Sequence, residues 1–346
     1  MTEVPTWPAE LDPRRLLVFR LVAHQGSLTG AARALGWTQP AVSQHVQRLE
    51  RELGLPLVRR VARGVVLTEP GVVLLRHADA LAASLAAAGR AMDDLSGLRS
   101  GRVRLAAFPS ASATLVAAAL ARSAAAHPGL DVRLVEVEPP QAVTLLARGE
   151  VDLAIVFEYP DVPADVDLLG NGEGQGSQGH LVRVPLLDDP VRLVLPPGHP
   201  ASGPVVVPGT DEGVDGGVAL AELAGERWIA GCLRCRQHLL ASAAREGFVP
   251  DVRHSTDDYV VVQALVAAGL AVATLPGLAL AASRRPEVVV RPILDHPTRS
   301  VSVLVTADGQ GVPAVAAVLE QLRRAAAERT PKARGAGTAP SSTMGA

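Results

Sequence analysis

The chain is predicted to be α/β overall with a small helical head in front, on three observations. Residues 27–50 spell two helices joined by a tight turn. Residues 74–95 repeat apolar side chains at alternating spacings of four and three, and from Arg102 onward strand-like and helix-like segments alternate. A switch from helical period to strands punctuated by turns marks a head, a rod and an α/β body. At 346 residues, 48% of them hydrophobic, the chain exceeds one typical domain and can build more than one core.

Residues 1–12 read as a flexible arm and residues 13–71 as the head. Leu16, Leu17, Phe19, Leu21 and Val22 begin a bracing helix. Ser27 caps a second helix running to about Leu35, whose Leu28, Ala31, Ala32 and Leu35 share one apolar face, and Gly36 supplies the turn. Thr38 caps a third helix with Pro40 in its first turn. Its Val42, Val46, Leu49 and Leu53 recur at helical period and face inward. The opposite face carries Gln39, Ser43, Gln44, Gln47 and Arg48, with no carboxylate before Glu50. Gln pairs with adenine through two hydrogen bonds and Arg with guanine or phosphate, while the small Ala41 and Ser43 permit close entry into a major groove. By spacing alone, an ordinary αα-hairpin with a solvated polar face looks the same. Pro56–Arg60 and Gly64–Thr68 then read as two short strands of a wing. Arg59, Arg60 and Arg63 lie near its tip, with Arg63 preferred as a phosphate or minor-groove contact.

From Leu16 to Gly71 the chain resembles the DNA-binding domain of the LysR-type transcriptional regulators. The resemblance rests on Leu17-x-Phe19-x-x-Val22-Ala23, Gly26-Ser27, Ala31-Ala32-x-x-Leu35, Gln39-Pro40-Ala41-Val42-Ser43, Leu49-Glu50-x-x-Leu53-Gly54, Arg60, Arg63-Gly64 and Leu67-Thr68-x-x-Gly71. Thr38 stands where that family usually has Ser, and Val58 where Phe is common. The expected DNA-contacting set is therefore Ser27, Thr38, Gln39, Pro40, Ala41, Ser43, Gln44, Gln47, Arg48, Arg60 and Arg63.

Thr68-Glu69-Pro70 opens a long helix, read as a linker over residues 72–97. Leu74, Ala78, Leu81, Leu85, Ala88, Met92 and Leu95 keep a 3.5-residue repeat for three heptads, the seam of a coiled coil, and predict dimerisation. The resemblance implies the same role. Gly97 to Gly101 is a short hinge, and residues 101–328 form the body. Strands at 103–107, 130–137 and 151–157 alternate with helices at 112–126 and 141–148, an order that fits a parallel sheet. The Gly-rich 171–179 and the Gly/Pro/Val-rich 204–217 read as surface insertions. Further strands are expected at 191–195, 228–230, 270–275, 288–294 and 301–306, and helices at 235–245, 258–268 and 313–328. Residues 329–346 read as a disordered tail. This half resembles the LysR-type effector-binding region, which implies a two-lobed fold like that of periplasmic binding proteins.

In an open α/β sheet the ligand site lies beyond the carboxyl ends of strands. Here strand 103–107 leads into Pro109-Ser110-Ala-Ser112-Ala-Thr114 at a helix start. Ser110, Ser112 and Thr114 are candidates to hold a small anion or polar metabolite, although one of these hydroxyls can be the cap alone. The resemblance places the effector here. Phe157 and Glu158, ending the strand at 151–157, are weaker candidates for the same cleft. Cys232-Leu-Arg-Cys235 opens the helix after Trp228, and three roles stay open for the pair: cleft lining or packing with Cys232 in the effector site, a redox switch, or half of a metal site. The last lacks a second Cys/His pair at usual spacing, so no metal is expected.

The formal net charge of −2 hides an excess of +3 over residues 1–70, so DNA binding has to be local. Lys332 is the one lysine among 33 basic residues, a coding bias rather than a nucleic-acid signal. Two cysteines exclude a disulfide framework. No signal peptide is visible, and although the uncharged stretch 259–283 is long enough to span a bilayer, Gly269 and Pro276-Gly277 cut it into pieces suited to a buried β/α unit. A cytoplasmic location without membrane contact is expected. No Ser/His/Asp set, P-loop or dinucleotide fingerprint stands out, so neither an enzyme nor a cofactor is expected. The expected function is a sequence-specific transcriptional regulator of LysR type modulated by a small effector. Its expected partners are promoter DNA, other copies of itself as a dimer or tetramer, and RNA polymerase. Two alternatives remain: an architectural DNA-binding protein without ligand response, and a CxxC thiol-redox protein.

Overall fold

The computed structural model describes residues 11–62, 64–95, 101–162, 181–203, 217–294 and 298–329. The arm up to residue 10, the hinge at 96–100, the insertion 171–179 and nearly all of 204–217, and the tail from 330 lie outside them.

The head is built on helices α1 (Pro13–Gln25), α2 (Leu28–Leu35) and α3 (Gln39–Leu53). Asp12 caps the first by accepting from Arg14 N at 2.9 Å, and Ser27 Oγ caps the second by accepting from Gly30 N at 3.2 Å. Their apolar faces meet in one core of Val18, Val22, Ala31, Ala32, Val42 and Val46. Strands β1 (Val58–Val61) and β2 (Gly64–Leu67) pair antiparallel as the wing. Two close approaches of backbone anchor it. At Gly64 (φ 111°) a Cβ would lie 2.2 Å from the Gly26 carbonyl oxygen, which accepts from Val65 N instead. At Gly71, in the first turns of α4 (Glu69–Leu95), a Cβ would lie 2.1 Å from the Leu57 carbonyl oxygen.

The body follows as β3 (Arg102–Ala107), α5 (Pro109–Ala111), a π-helical turn (Ser112–Val116), α6 (Ala117–Ala126), β4 (Asp131–Glu136), α7 (Pro139–Ala147), β5 (Leu153–Glu158) and β6 (Leu181–Asp189). Then come β7 (Val191–Leu195), β8 (Arg227–Ala230), α8 (Leu233–Arg245), β9 (Asp251–Ser255), α9 (Tyr259–Ala267), β10 (Val272–Pro276), α10 (Gly277–Ala282), β11 (Val289–Pro292), β12 (Arg299–Thr306), α11 (Ala307–Gln310) and α12 (Pro313–Ala327). They form two five-stranded sheets, ordered β4-β3-β5-β12-β6 and β11-β7-β10-β8-β9. Each is the floor of one lobe. The chain passes from the first lobe to the second at Pro190, between β6 and β7, and returns between β11 and β12.

The first three strands of lobe one are parallel as expected, but β12 and β6 join them antiparallel, so the sheet is mixed. β6 and β9 were absent from the expected strands because both are edge strands. β6 contains Pro185 and carries a register shift opposite Val301/Ser302, while β9 is mostly exposed and polar, so neither shows clean alternation. The uncharged stretch 259–283 folds as α9, β10 and α10. No described helix is long and apolar enough to cross a membrane.

Candidate functional site

Helix α3 turns its apolar stripe into the head and leaves Pro40, Gln44, Gln47 and Arg48 exposed, with Gln39, Ala41 and Ser43 half-buried beside them. Thr38 precedes the helix in extended conformation with no side-chain cap bond, so its exposed hydroxyl is available to a ligand. Ser27's hydroxyl is occupied by its cap. Arg60 on β1 reaches back, Nη2 donating to Ser43 Oγ at 3.4 Å, so wing and helix present one continuous polar surface. Arg63 lies outside the described residues. Of the nearest carboxylates, Glu50 turns away from this face and Glu52 is shared between Arg15 and Arg48. Glu50 Oε1 accepts from Leu57 N (2.8 Å) and Val58 N (3.2 Å) and so fixes the entry to the wing. The bracing role of Glu50 had no sequence signal, because its partners are backbone groups.

The stripe expected to dimerise divides in two. Leu74, Ala78 and Leu81 pack with Leu16, Phe19, Leu49 and Leu57 of the chain's own head, Ala78 completely buried. Leu85, 51% exposed, and Ala88 are uncovered. Met92 and Leu95 lie outside the described side chains.

Between the lobes runs a cleft of about 630 Å³, a figure that includes the open solvent at its mouth. Phe108, Ser110, Glu138 and Phe157 of lobe one line it, as do Ile229, Cys232, Cys235, Asp257, Tyr259 and Leu275 of lobe two, with Arg299 at the crossing between them. Arg299, only 2% exposed, donates through Nε (2.9 Å) and Nη2 (2.8 Å) to Asp189 Oδ2 and through Nη2 to Ser110 Oγ (2.9 Å). Its guanidinium also lies over the rings of Phe108 and Phe157, at 4.9 and 4.5 Å from their centroids. Burial, the largest single influence, opposes its charge, but Asp189 together with Tyr159 and Cys235 outweighs it and raises its pKa. Asp189 Oδ1 accepts from Leu278 N at 3.0 Å, so one carboxylate ties β6, β12 and the start of α10 together at the crossing. Sequence reading did not single out Arg299 or Asp189. A charged pair at strand ends carries no periodic signal.

Of the three hydroxyls expected here, only Ser110 lines the cleft. Ser112 Oγ donates to the Ala107 carbonyl at the end of β3 (3.4 Å) and Thr114 Oγ1 to the Ser110 carbonyl of α5 (2.6 Å). Phe157 lines the cleft, whereas Glu158 pairs with Arg183 at 2.6 Å outside it. Cys232 lines it as expected, with Sγ 3.2 Å from Cys235 Sγ, and Cys235 in turn lies 3.6 Å from the Tyr159 hydroxyl. The contact between the sulfurs lowers Cys235's pKa against the burial that raises it, and raises that of Cys232 together with burial. Tyr159 stacks on His238 at 3.9 Å, and His238 Nδ1 donates to Asp161 Oδ1 at 2.6 Å, a further bridge from lobe one to α8. No group of three or more metal-ligating side chains occurs among the described residues.

The head and body match two known family models. Residues 13–72 match the bacterial regulatory helix-turn-helix proteins of the lysR family, and residues 96–327 match the LysR substrate binding domain. The chain belongs to the LysR family. It is 34% identical over 151 residues to the HTH-type transcriptional regulator CbbR of Rhodospirillum rubrum, covering 44% of this chain and 50% of that protein. It is likewise 34% identical over 199 residues to a probable hydrogen peroxide-inducible genes activator of Mycobacterium avium, covering 56% and 58%. The chain thus spans about half the length of these relatives. Among solved structures, a full-length OxyR variant from Pseudomonas aeruginosa superposes with a TM-score of 0.61 at 18% identity, covering 91% of this chain and 96% of that one. Full-length BenM superposes with 0.51 at 20% identity, covering 92% and 97%. These likenesses are of fold.

Proposed function

We propose that the chain is a LysR-type transcriptional regulator that reads promoter DNA with α3 and its wing, and that a small effector held between the lobes modulates it. The observation that carries this reading is the α3 face, where Gln44, Gln47 and Arg48 stand exposed, Arg60 joins from the wing, and Glu50 is turned to the backbone of the wing. Such a surface offers amides to base edges and guanidinium groups to phosphates. A cleft between two sheets joined by two crossing strands is built to open and close. An effector that favours one closure shifts the population of assemblies and the spacing of the heads. Association of copies through α4 makes the DNA site two-fold, and RNA polymerase is the downstream partner. We read the protein as non-enzymatic and as acting in the cytoplasm, where its DNA target lies.

Selection of bound fragments from a random DNA pool at about 150 mM salt, which suppresses much non-specific phosphate binding, tests the first half. A two-fold motif is expected. Gln44→Ala or Gln47→Ala should relax preference at one position by about 1–3 kcal/mol, and Arg60→Ala should weaken all sequences alike. Equal losses on selected and random DNA for the Gln variants would count against this reading face.

A further inference from the structure

The charge distribution of the interlobe cleft points to the kind of effector it takes, given the effector-site reading above. Glu138, the residue preceding α7, faces the cleft from lobe one, and its Oε2 is shielded from solvent without a hydrogen-bond partner among the described residues. Asp257 lines the cleft from lobe two, and Glu136 and Asp257 both lie close enough to Glu138 to act on its charge. Burial pushes the Glu138 carboxyl up, as do the charges of Asp257 and Glu136, while a hydrogen bond from the Cys232 thiol, a weak donor, and the charge of Arg299 oppose this. The cation of the cleft, Arg299, is already committed to Asp189 and Ser110 and covered by two aromatic rings. The cleft therefore has a surplus of carboxyl groups over cations, and Glu138 Oε2 is an acceptor that no hydrogen bond satisfies among the described residues. Around these groups Phe108, Ile229, Tyr259 and Leu275 form apolar walls.

We propose that the effector is a small organic cation, an amine or guanidine on an apolar body, whose charged end sits between Glu138 of lobe one and Asp257 of lobe two. With the cleft empty, carboxylates on facing lobes repel each other. A cation between them turns that repulsion into attraction to both lobes and draws them together, so the same contact supplies recognition and closure. A carboxylate ligand meets Glu138 and Asp257 as like charges and finds Arg299 already paired with Asp189 and Ser110.

The test uses the full-length protein and three ligands of one shape and different charge: 2-phenylethylamine, 2-phenylethanol and 3-phenylpropionate. Binding is measured calorimetrically and DNA binding in parallel. The amine should bind most tightly. Glu138→Gln should weaken the amine by about tenfold or more while leaving or improving 3-phenylpropionate, and Glu138→Asp, which keeps the charge, should retain the order. Thermal melts of both variants report whether they fold. Tighter binding of 3-phenylpropionate than of the amine, or amine affinity unchanged in folded Glu138→Gln, overturns the charge assignment. If 3-phenylpropionate also alters DNA binding, the effector-cleft reading survives while the cation is wrong. If no ligand of either charge binds, both fail.

Discussion

Arg299 shows what a single side chain does here. Its guanidinium and the Asp189 carboxylate neutralise each other where the chain crosses between lobes, and both are almost fully enclosed. Removing one partner leaves an uncompensated buried charge, so Arg299→Ala should destabilise the protein by about 3–5 kcal/mol, read from denaturant unfolding. Arg299→Met together with Asp189→Leu, removing both charges, should cost much less, and equal losses would refute the pairing argument. Asp161 and His238 give the second prediction at this scale. Burial lowers His238 below its ordinary 6.5, so the folded state prefers the neutral ring, and stability is full above that value and falls as the pH drops beneath it. Asp161 is raised by burial but lowered more by its bonds to Arg245 and His238, so its contribution is present above 3.8 and lost as the pH falls further. Both act in the same direction. The urea midpoint should be lower at about pH 5 than at about pH 7.5, and the difference should shrink in His238→Gln; an unchanged difference would discard His238 as its source.

The elements were legible where a residue's role is local. The α3 stripe and the Ser27 cap followed from spacing and from hydroxyl chemistry because each is decided within one or two turns. Ser112 and Thr114 were less legible, since a hydroxyl at a helix start serves a ligand or a carbonyl equally well in sequence, and here both serve carbonyls. Gly71 belongs to this scale as well. The motif marked it, but only the fold shows that α4 passes so near Leu57 that a Cβ would meet its carbonyl oxygen at 2.1 Å. Gly71→Ala should therefore cost about 1–3 kcal/mol by forcing wing and helix apart, although Ala is the better helix former. A gain in the melting temperature would show that the backbone relaxes without penalty.

Across the whole molecule, the head is coupled to the body by more than the hinge. Arg20 of α1 pairs with Asp79 of α4 at 2.7 Å and donates to the Arg148 carbonyl of lobe one at 2.9 Å, while Gly149 packs so closely on Ala83 that a Cβ would lie 2.9 Å from its Cα. A movement of lobe one therefore bears directly on the helix that carries the heads. For the proposed association through α4, Ala78 is covered by its own head, so the exposed Leu85 is the position to test. Leu85→Glu should weaken self-association by about tenfold or more in sedimentation equilibrium, and an unchanged association constant would move the interface elsewhere.

The sequence alone determined that this chain carries a helix-turn-helix head, a long helix and a two-lobed α/β body, because periodicity, caps and turn residues act over short distances. It also placed the reading face, since a helix with one apolar stripe leaves its other face to solvent. What only the tertiary structure decided are the contacts made across long separations. Sheet order and the packing of the lobes bring Asp189 to Arg299 and Glu138 near Asp257, and the folding of α4 back on the head covers Ala78. No local pattern records such pairs, because the free energy that joins them comes from burial and charge compensation in the finished fold.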